Sequence, residues 1–186
     1  MYSTTDFRKG LKIELNGEPF VIVDFQHVKP GKGGAFVRTR LKSLVSGNVI
    51  EPTFRSGDKV DKPDLEEREM QFLYESGGEY HFMDTRTYEQ LFLTADQLGE
   101  SRGFLKENIE IKVLYHNSRP IGIEVPMFVE LKVVKTEPGV RGDTASGGSK
   151  PATLESGAVV QVPLFIEEGE VIRIDTRTRE YITRVK

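Results

Sequence analysis

The chain has 186 residues, of which 37% are hydrophobic and 30% charged, and its 26 basic and 29 acidic residues leave a net charge of −3. This composition argues for a folded chain rather than a disordered one, and no apolar run approaches the roughly 18 residues of a membrane helix. With no cysteine, disulfides and thiolate metal sites are excluded; the opening Met1-Tyr2-Ser3-Thr4-Thr5-Asp6 has no basic and apolar leader pattern, so a cytoplasmic location is expected.

The first predicted element is a long β-hairpin. Phe20-Val21-Ile22-Val23-Asp24-Phe25 rises to a tip and Ala35-Phe36-Val37-Arg38-Thr39-Arg40-Leu41-Lys42 returns from it. Alternation on the returning strand puts Ala35, Val37, Thr39 and Leu41 on one face and Arg38, Arg40 and Lys42 on the other. One face packs and the other is cationic, as in a small SH3-like barrel whose hairpin lies along a sugar-phosphate backbone. About nine residues from Val23 to the tip would span roughly 30 Å if fully extended, part of it inside the barrel. At the tip stand Lys29, Pro30, Gly31, Lys32, Gly33 and Gly34. The glycines permit positive φ and remove bulk beside Lys32, which lifts a lone primary amine toward a partner, expected to be RNA. An ordinary solvated hairpin lysine would show the same local pattern.

Asp61-Lys62-Pro63-Asp64 interrupts this run of strands, and Val125-Pro126-Met127 separates two later alternating stretches. The expected domains are therefore 1–63, 64–127 and 128–186. Charge divides unevenly among the three stretches: Met1 to Lys62 is net +4, Pro63 to Met127 net −7 and Phe128 to Lys186 neutral. Only the first stretch offers a broad phosphate-binding face. Strand periodicity continues through Ile111, Val113 and Tyr115, then Ile121, Ile123 and Val125, then Val129, Leu131 and Val133. The one helical candidate, Thr94-Ala95-Asp96-Gln97-Leu98, opens on a capping-box spacing and is ended by Gly99.

An internal repeat joins the second and third stretches. Tyr80-His81-Phe82-Met83-Asp84-Thr85-Arg86-Thr87 resembles Val171-Ile172-Arg173-Ile174-Asp175-Thr176-Arg177-Thr178, and each follows a predicted hairpin turn, Glu75 to Glu79 and Glu167 to Glu170. The constant offset implies two copies of one small barrel of the oligonucleotide-binding type, with each Asp starting a turn. The fold class is accordingly all-β: an SH3-like barrel followed by two OB-fold barrels.

Several motifs now match a known family. The chain resembles bacterial elongation factor P, homologous to the hypusine-bearing initiation factor of eukaryotes and archaea. The match is carried by Lys29-Pro30-Gly31-Lys32-Gly33-Gly34-Ala35-Phe36, by Pro138-Gly139-Val140-Arg141-Gly142-Asp143-Thr144, and by the stretch from Lys150-Pro151-Ala152-Thr153-Leu154 through Val162-Pro163-Leu164-Phe165 to Gly169-Glu170-Val171-Ile172. The resemblance implies a KOW-type first barrel and a factor that enters the ribosome between the peptidyl-tRNA and exit sites when synthesis stalls at consecutive prolines. It implies that Lys32 points at the peptidyl-transferase centre, that Gly142, Asp143 and Thr144 approach messenger RNA at the exit-site codon, and that Tyr181 and Arg184 meet the small subunit. Arg38, Arg40 and Lys42 are expected to contact tRNA or ribosomal RNA.

Implied partners are both ribosomal subunits, peptidyl-tRNA, mRNA and a lysine-modifying enzyme, with no membrane and a monomeric chain. No metal or dissociable cofactor is implied. Lys32 is the expected site of covalent extension, by β-lysine in many bacterial members, but Gly34 stands where the familiar lysylated loop has Gln, so the kind of modification stays open. Enzyme chemistry has little support: His27, His81 and His116 are isolated in sequence, and Gly142 to Lys150 lacks the Gly-Lys-Ser/Thr ending of a nucleotide loop. Two other readings are a carrier domain with a biotinylated or lipoylated tip lysine, whose usual acidic or methionine neighbours are missing here, and a general RNA-binding protein.

Overall fold

The structure, a computed structural model, describes residues 1–139 and 148–186. It is nearly all-β. By contacts the chain divides into two compact units, residues 1–68 with 113–122 and residues 69–112 with 123–186.

The first unit begins with β1 (Tyr2–Ser3) and a 3₁₀ turn over Thr4–Asp6, started by the Ser3 amide donating to the Asp6 carboxylate at 2.9 Å. Then come β2 (Lys12–Leu15), β3 (Glu18–Val28), β4 (Phe36–Ser43), β5 (Val49–Ile50), β6 (Thr53–Arg55) and β7 (Lys59–Val60). Asn16 and Gly17 join β2 to β3 with φ of 54° and 79°, the left-handed pair that a tight hairpin needs. The sheet runs β2-β3-β4-β5, with β6 also on β4 and β7 on β1. Phe7, Leu11, Ile13, Phe20, Ile22, Val37, Leu41, Phe54 and Val60 form one buried cluster, in which Phe7 meets Phe54 edge to face with centroids 5.5 Å apart. In the same unit His116 packs as a buried residue, its Nε2 2.9 Å from the Glu14 carboxylate.

The next sheet has β8 (Leu65–Ser76), β9 (Glu79–Asp84), β10 (Gln90–Thr94), β11 (Glu110–His116) and β12 (Arg119–Glu124), in the order β10-β9-β8-β11-β12. Between β10 and β11 lie the short helix α1 (Ala95–Leu98) and a 3₁₀ turn over Gly99–Phe104. The capping box is present: the Thr94 hydroxyl accepts from the Gln97 amide and the Gln97 side chain accepts from the Thr94 amide, while Gly99 at φ 57° closes the C-terminus. The last sheet has β13 (Phe128–Thr136), β14 (Ser149–Leu154), β15 (Val159–Pro163), β16 (Val171–Asp175) and β17 (Glu180–Val185), in the order β15-β14-β13-β16-β17, and β15 lies against β17. Its core holds Val129, Leu131 and Val133 with Leu154, Val162, Ile172 and Ile174.

Numbered within each sheet, both follow the order 3-2-1-4-5, so the two five-stranded modules share one topology. The Asp-Thr-Arg-Thr repeat does not mark equivalent places in them. Asp84 leads from strand 2 to strand 3 of its module, whereas Asp175 leads from strand 4 to strand 5 of the other. Nor is Glu167 to Glu170 a hairpin turn, because β15 and β16 are not neighbours. The tetrapeptide encodes a turn and not a position. In both copies the Asp side chain accepts from the amide two residues on, at 2.8 Å and 2.9 Å, and the residue four positions on, Tyr88 or Arg179, sits at φ 63° with its amide bonded to the Asp carbonyl.

Candidate functional site

Strands β3 and β4 make the predicted hairpin, and the ladder runs from Phe20↔Ser43 out to Val28↔Phe36. A β-bulge lies between Ile22 and Asp24. It leaves Val23 unpaired and exposed, and it shifts the parity of β3: before the bulge Phe20 and Ile22 face inward, after it Phe25 and His27 share the face of Thr39 and Val37. The returning strand has no such break. Val37, Thr39, Leu41 and Ser43 are all buried, and Arg38, Arg40 and Lys42 are all exposed, as alternation predicts.

The outward face thus consists of Val28, Gln26, Asp24 and Val21 on β3 opposite Phe36, Arg38, Arg40 and Lys42 on β4. β6 extends it on the other flank, with Arg55 opposite Phe36 and Thr53 opposite Arg38. Arg38 lies over the Phe36 ring, 5.6 Å from its centroid, and has no ion pair among the described residues. Arg40 instead meets Glu51 at 3.3 Å, with Asp24 across the ladder held by Lys9 at 3.8 Å. These residues line a shallow groove of about 330 Å³ that includes Arg38, Arg40, Gln26 and Thr53. The cationic stripe therefore has one uncommitted guanidinium and one that is already compensated at the surface. Neither Phe36 nor Arg55 was singled out from sequence; Phe36 lies in the stripe's own period, and Arg55 needed the β4–β6 register.

β6 also changes the length of the free arm. Because it pairs with β4 as far as Phe36, and the Ser56 amide bonds the Ala35 carbonyl at 3.0 Å, only residues 29–35 project beyond braced strands. Within that loop Lys29, Gly31, Lys32, Gly33 and Gly34 are exposed and Pro30 is half-buried. Of the three tip glycines only Gly33 has positive φ, 97°. Among the described residues no hydrogen bond or ion pair engages the Lys29 or Lys32 side chain.

The C-terminal pair sits on β17, where a second irregularity intervenes. Tyr181 pairs with Ile174 and Arg184 with Ile172, so the extra residue Ile182 places these two side chains on one face, although their spacing by three would put them on opposite faces of a regular strand. Tyr181 is half-buried against the core. Arg184 lies 4.7 Å from the Phe165 ring centroid and 3.2 Å from Glu170, whose carboxyl is held below its ordinary value first by the Glu167 amide and then by that guanidinium. Gly142, Asp143 and Thr144 lie outside the described residues. Among those described, no group of three His, Cys, Asp or Glu could hold a metal ion, and no helix is long and apolar enough to cross a membrane.

Comparison with known proteins finds one family along the chain. Residues 3–60 match the family model described as the elongation factor P (EF-P) KOW-like domain, residues 65–123 the EF-P OB domain, and residues 129–184 elongation factor P, C-terminal. The chain is 62% identical over 186 residues to elongation factor P of Natranaerobius thermophilus, covering 100% of this chain and 99% of that one. It is 60% identical over 184 residues to elongation factor P of Moorella thermoacetica, covering 99% and 100%. Among solved structures, eukaryotic translation initiation factor 5A from Methanococcus jannaschii is similar with a TM-score of 0.54 at 27% identity, over 64% of this chain and 88% of that one.

Proposed function

The chain belongs to the elongation factor P family of translation elongation factors, and on that premise we propose that it binds the ribosome between the peptidyl-tRNA and exit sites and speeds peptide bonds that stall at consecutive prolines. Proline reacts poorly because its ring fixes φ and limits how donor and acceptor can be arranged. A factor that presses peptidyl-tRNA into reactive geometry lowers that barrier through position, without a covalent step of its own.

The observation that carries this reading is Lys32: an exposed amine on a seven-residue loop, at the end of a ladder stiffened by a third strand, with Arg38 on the face below it. In this role the lysine is a strut. Set among RNA phosphates, that side chain would support the acceptor end through position and electrostatics, with no covalent step of its own. The exposed amine is also the site that a modifying enzyme would lengthen, and the open space around Gly31, Gly33 and Gly34 leaves it room. Arg38, Arg40 and Lys42 would meet tRNA or ribosomal RNA, Tyr181 and Arg184 the small subunit, and Gly142 to Thr144 the messenger RNA.

A reconstituted translation system making a reporter with a proline run tests the reading. The wild-type chain should restore synthesis through the run and Lys32→Ala should not, while both leave a proline-poor reporter unchanged. Equal yields from the proline-run message with either chain would reject it. Intact-mass measurement of protein from its native cell separates the rival carrier reading, which requires a lipoyl or biotinyl adduct on Lys32.

A further inference from the structure

The acidic middle of the chain carries an aromatic surface that the hairpin reading does not use. The register of β8, β9 and β10 sets Tyr74 opposite His81 and His81 opposite Phe92, so three rings form a row across three strands. A bulge at Leu73 brings Tyr74 into that row, because Phe72 two residues earlier points to the other face with Phe82. Tyr74 and His81 are stacked with centroids 4.5 Å apart and planes 16° apart, and Phe92 tilts against His81 at 5.8 Å. Tyr74 is 49% and Phe92 50% exposed. Half-open rings in register on one sheet face form a surface that gains from being covered.

Charge indicates what covers it. From Glu69 to Thr94 there are five carboxylates and one arginine, net −4. Tyr74 also lines a cavity of about 500 Å³ together with the Tyr80 ring, three carboxylates, Glu75, Glu107 and Glu155, and two cations, Arg102 and Lys106. Rings in a row suit stacked nucleic-acid bases, but the phosphates of a strand would be carried into this field of carboxylates. A neutral apolar partner would strip water from the same carboxylates without replacing it. A planar guanidinium satisfies both features, since one face stacks on an aromatic ring while its edges donate to carboxylates.

We propose that the Tyr74-His81-Phe92 face is a docking surface for a basic protein segment. One arginine would lie on Tyr74 among the cavity carboxylates and a second against Phe92 beside Glu79. Tyr74 and Phe92 stand on strands two places apart, about 10 Å, which equals roughly one three-residue turn of a polyproline II chain, in which residues i and i+3 share a face. The spacing favoured is therefore Arg-x-x-Arg, crossing the strands.

The test uses the full chain and a fluorescent peptide of four Arg-Gly-Ser repeats, with binding read by anisotropy at low salt, alongside a labelled twelve-residue oligouridylate. Tyr74→Ala should weaken peptide binding about fivefold, Phe92→Ala and the double variant Glu107→Gln with Glu155→Gln about threefold each, and none should change oligouridylate binding. All four side chains lie at the surface, and unchanged thermal midpoints would show that the variants fold. Absence of peptide binding, or peptide affinity untouched by Tyr74→Ala, overturns the proposal, as does oligouridylate binding that Tyr74→Ala abolishes. No ribosome enters the assay, so its outcome is independent of the translation reading.

Discussion

The hairpin tip at residues 29–35 and the Asp-Thr-Arg-Thr turns at Asp84 and Asp175 are both glycine- or aspartate-rich chain reversals, yet they are built in opposite ways. In the two Asp turns the polar groups are spent inside the turn. Asp84 accepts from the Arg86 and Thr87 amides, and Asp175 accepts from the Arg177 amide and from its guanidinium at 2.8 Å. At the tip the Lys29 and Lys32 side chains bond nothing among the described residues, and positive φ is confined to Gly33. A turn that satisfies its own polar groups is architecture; one that holds them outward on a braced ladder is available for recognition.

The contrast can be broken most directly at its two extremes. Lys32→Ala should lower the rate of synthesis through a proline run about tenfold or more, toward the rate without factor, yet leave the thermal midpoint within about 1 °C. Asp84→Ala should do the reverse. It leaves the Arg86 and Thr87 amides without their acceptor in a part-buried turn and removes the buried Asp84 carboxylate, costing about 1–2 kcal/mol in denaturant unfolding, with ribosome affinity per folded molecule unchanged. A Lys32→Ala protein that unfolded as easily as Asp84→Ala would erase the distinction.

Gly139 offers a further break, since a Cβ there would approach the Leu164 carbonyl oxygen to 2.6 Å. Gly139→Ala should therefore destabilise by about 1–3 kcal/mol, measured by the urea midpoint, whereas Gly31→Ala in the open tip should cost under about 0.5 kcal/mol. The groove below the tip gives a smaller and different effect. Arg38→Ala with Arg40→Ala should weaken ribosome binding and lower the slope of log affinity against log salt by about 1 to 2. Most of the loss should come from Arg38, because Arg40 already meets Glu51.

The subtlest sharpening concerns pH. The Arg177 guanidinium, helped by turn amides, holds the Asp175 carboxyl down from 3.8 to about 2. A depressed carboxyl contributes stability that is present above its ordinary pKa and lost as pH falls through the folded value. Thermal midpoints of the wild type should therefore fall between pH of about 3.8 and about 2 in part because of this group, and Asp175→Asn should show a flatter acid limb. Identical limbs would mean that the turn is not held by that ion pair.

Much of this could be read from the chain itself. Strict alternation from Val37 to Ser43 needs no neighbour to explain it, and it separated the buried from the cationic face correctly. The capping-box spacing at Thr94 and Gln97 is likewise local and was legible. The repeat misled in its detail and not in its conclusion. Two modules of one topology exist, but Asp-Thr-Arg-Thr is a local solution to a tight turn and recurs at non-equivalent hairpins because the backbone demand is the same.

What sequence alone determined was the set of local preferences: strand period, turn chemistry, the glycine-flanked lysine and the unequal charge of the three stretches, all of which depend on neighbours a few residues away. Tertiary structure decided the rest through long-range registers that no local pattern contains. The bulge at Val23 keeps β3 in step with β4, the extra residue at Ile182 brings Tyr181 and Arg184 to one face, and the one at Leu73 aligns Tyr74 with His81 and Phe92. One inserted residue turns a strand over, and only the partner strand shows where it is.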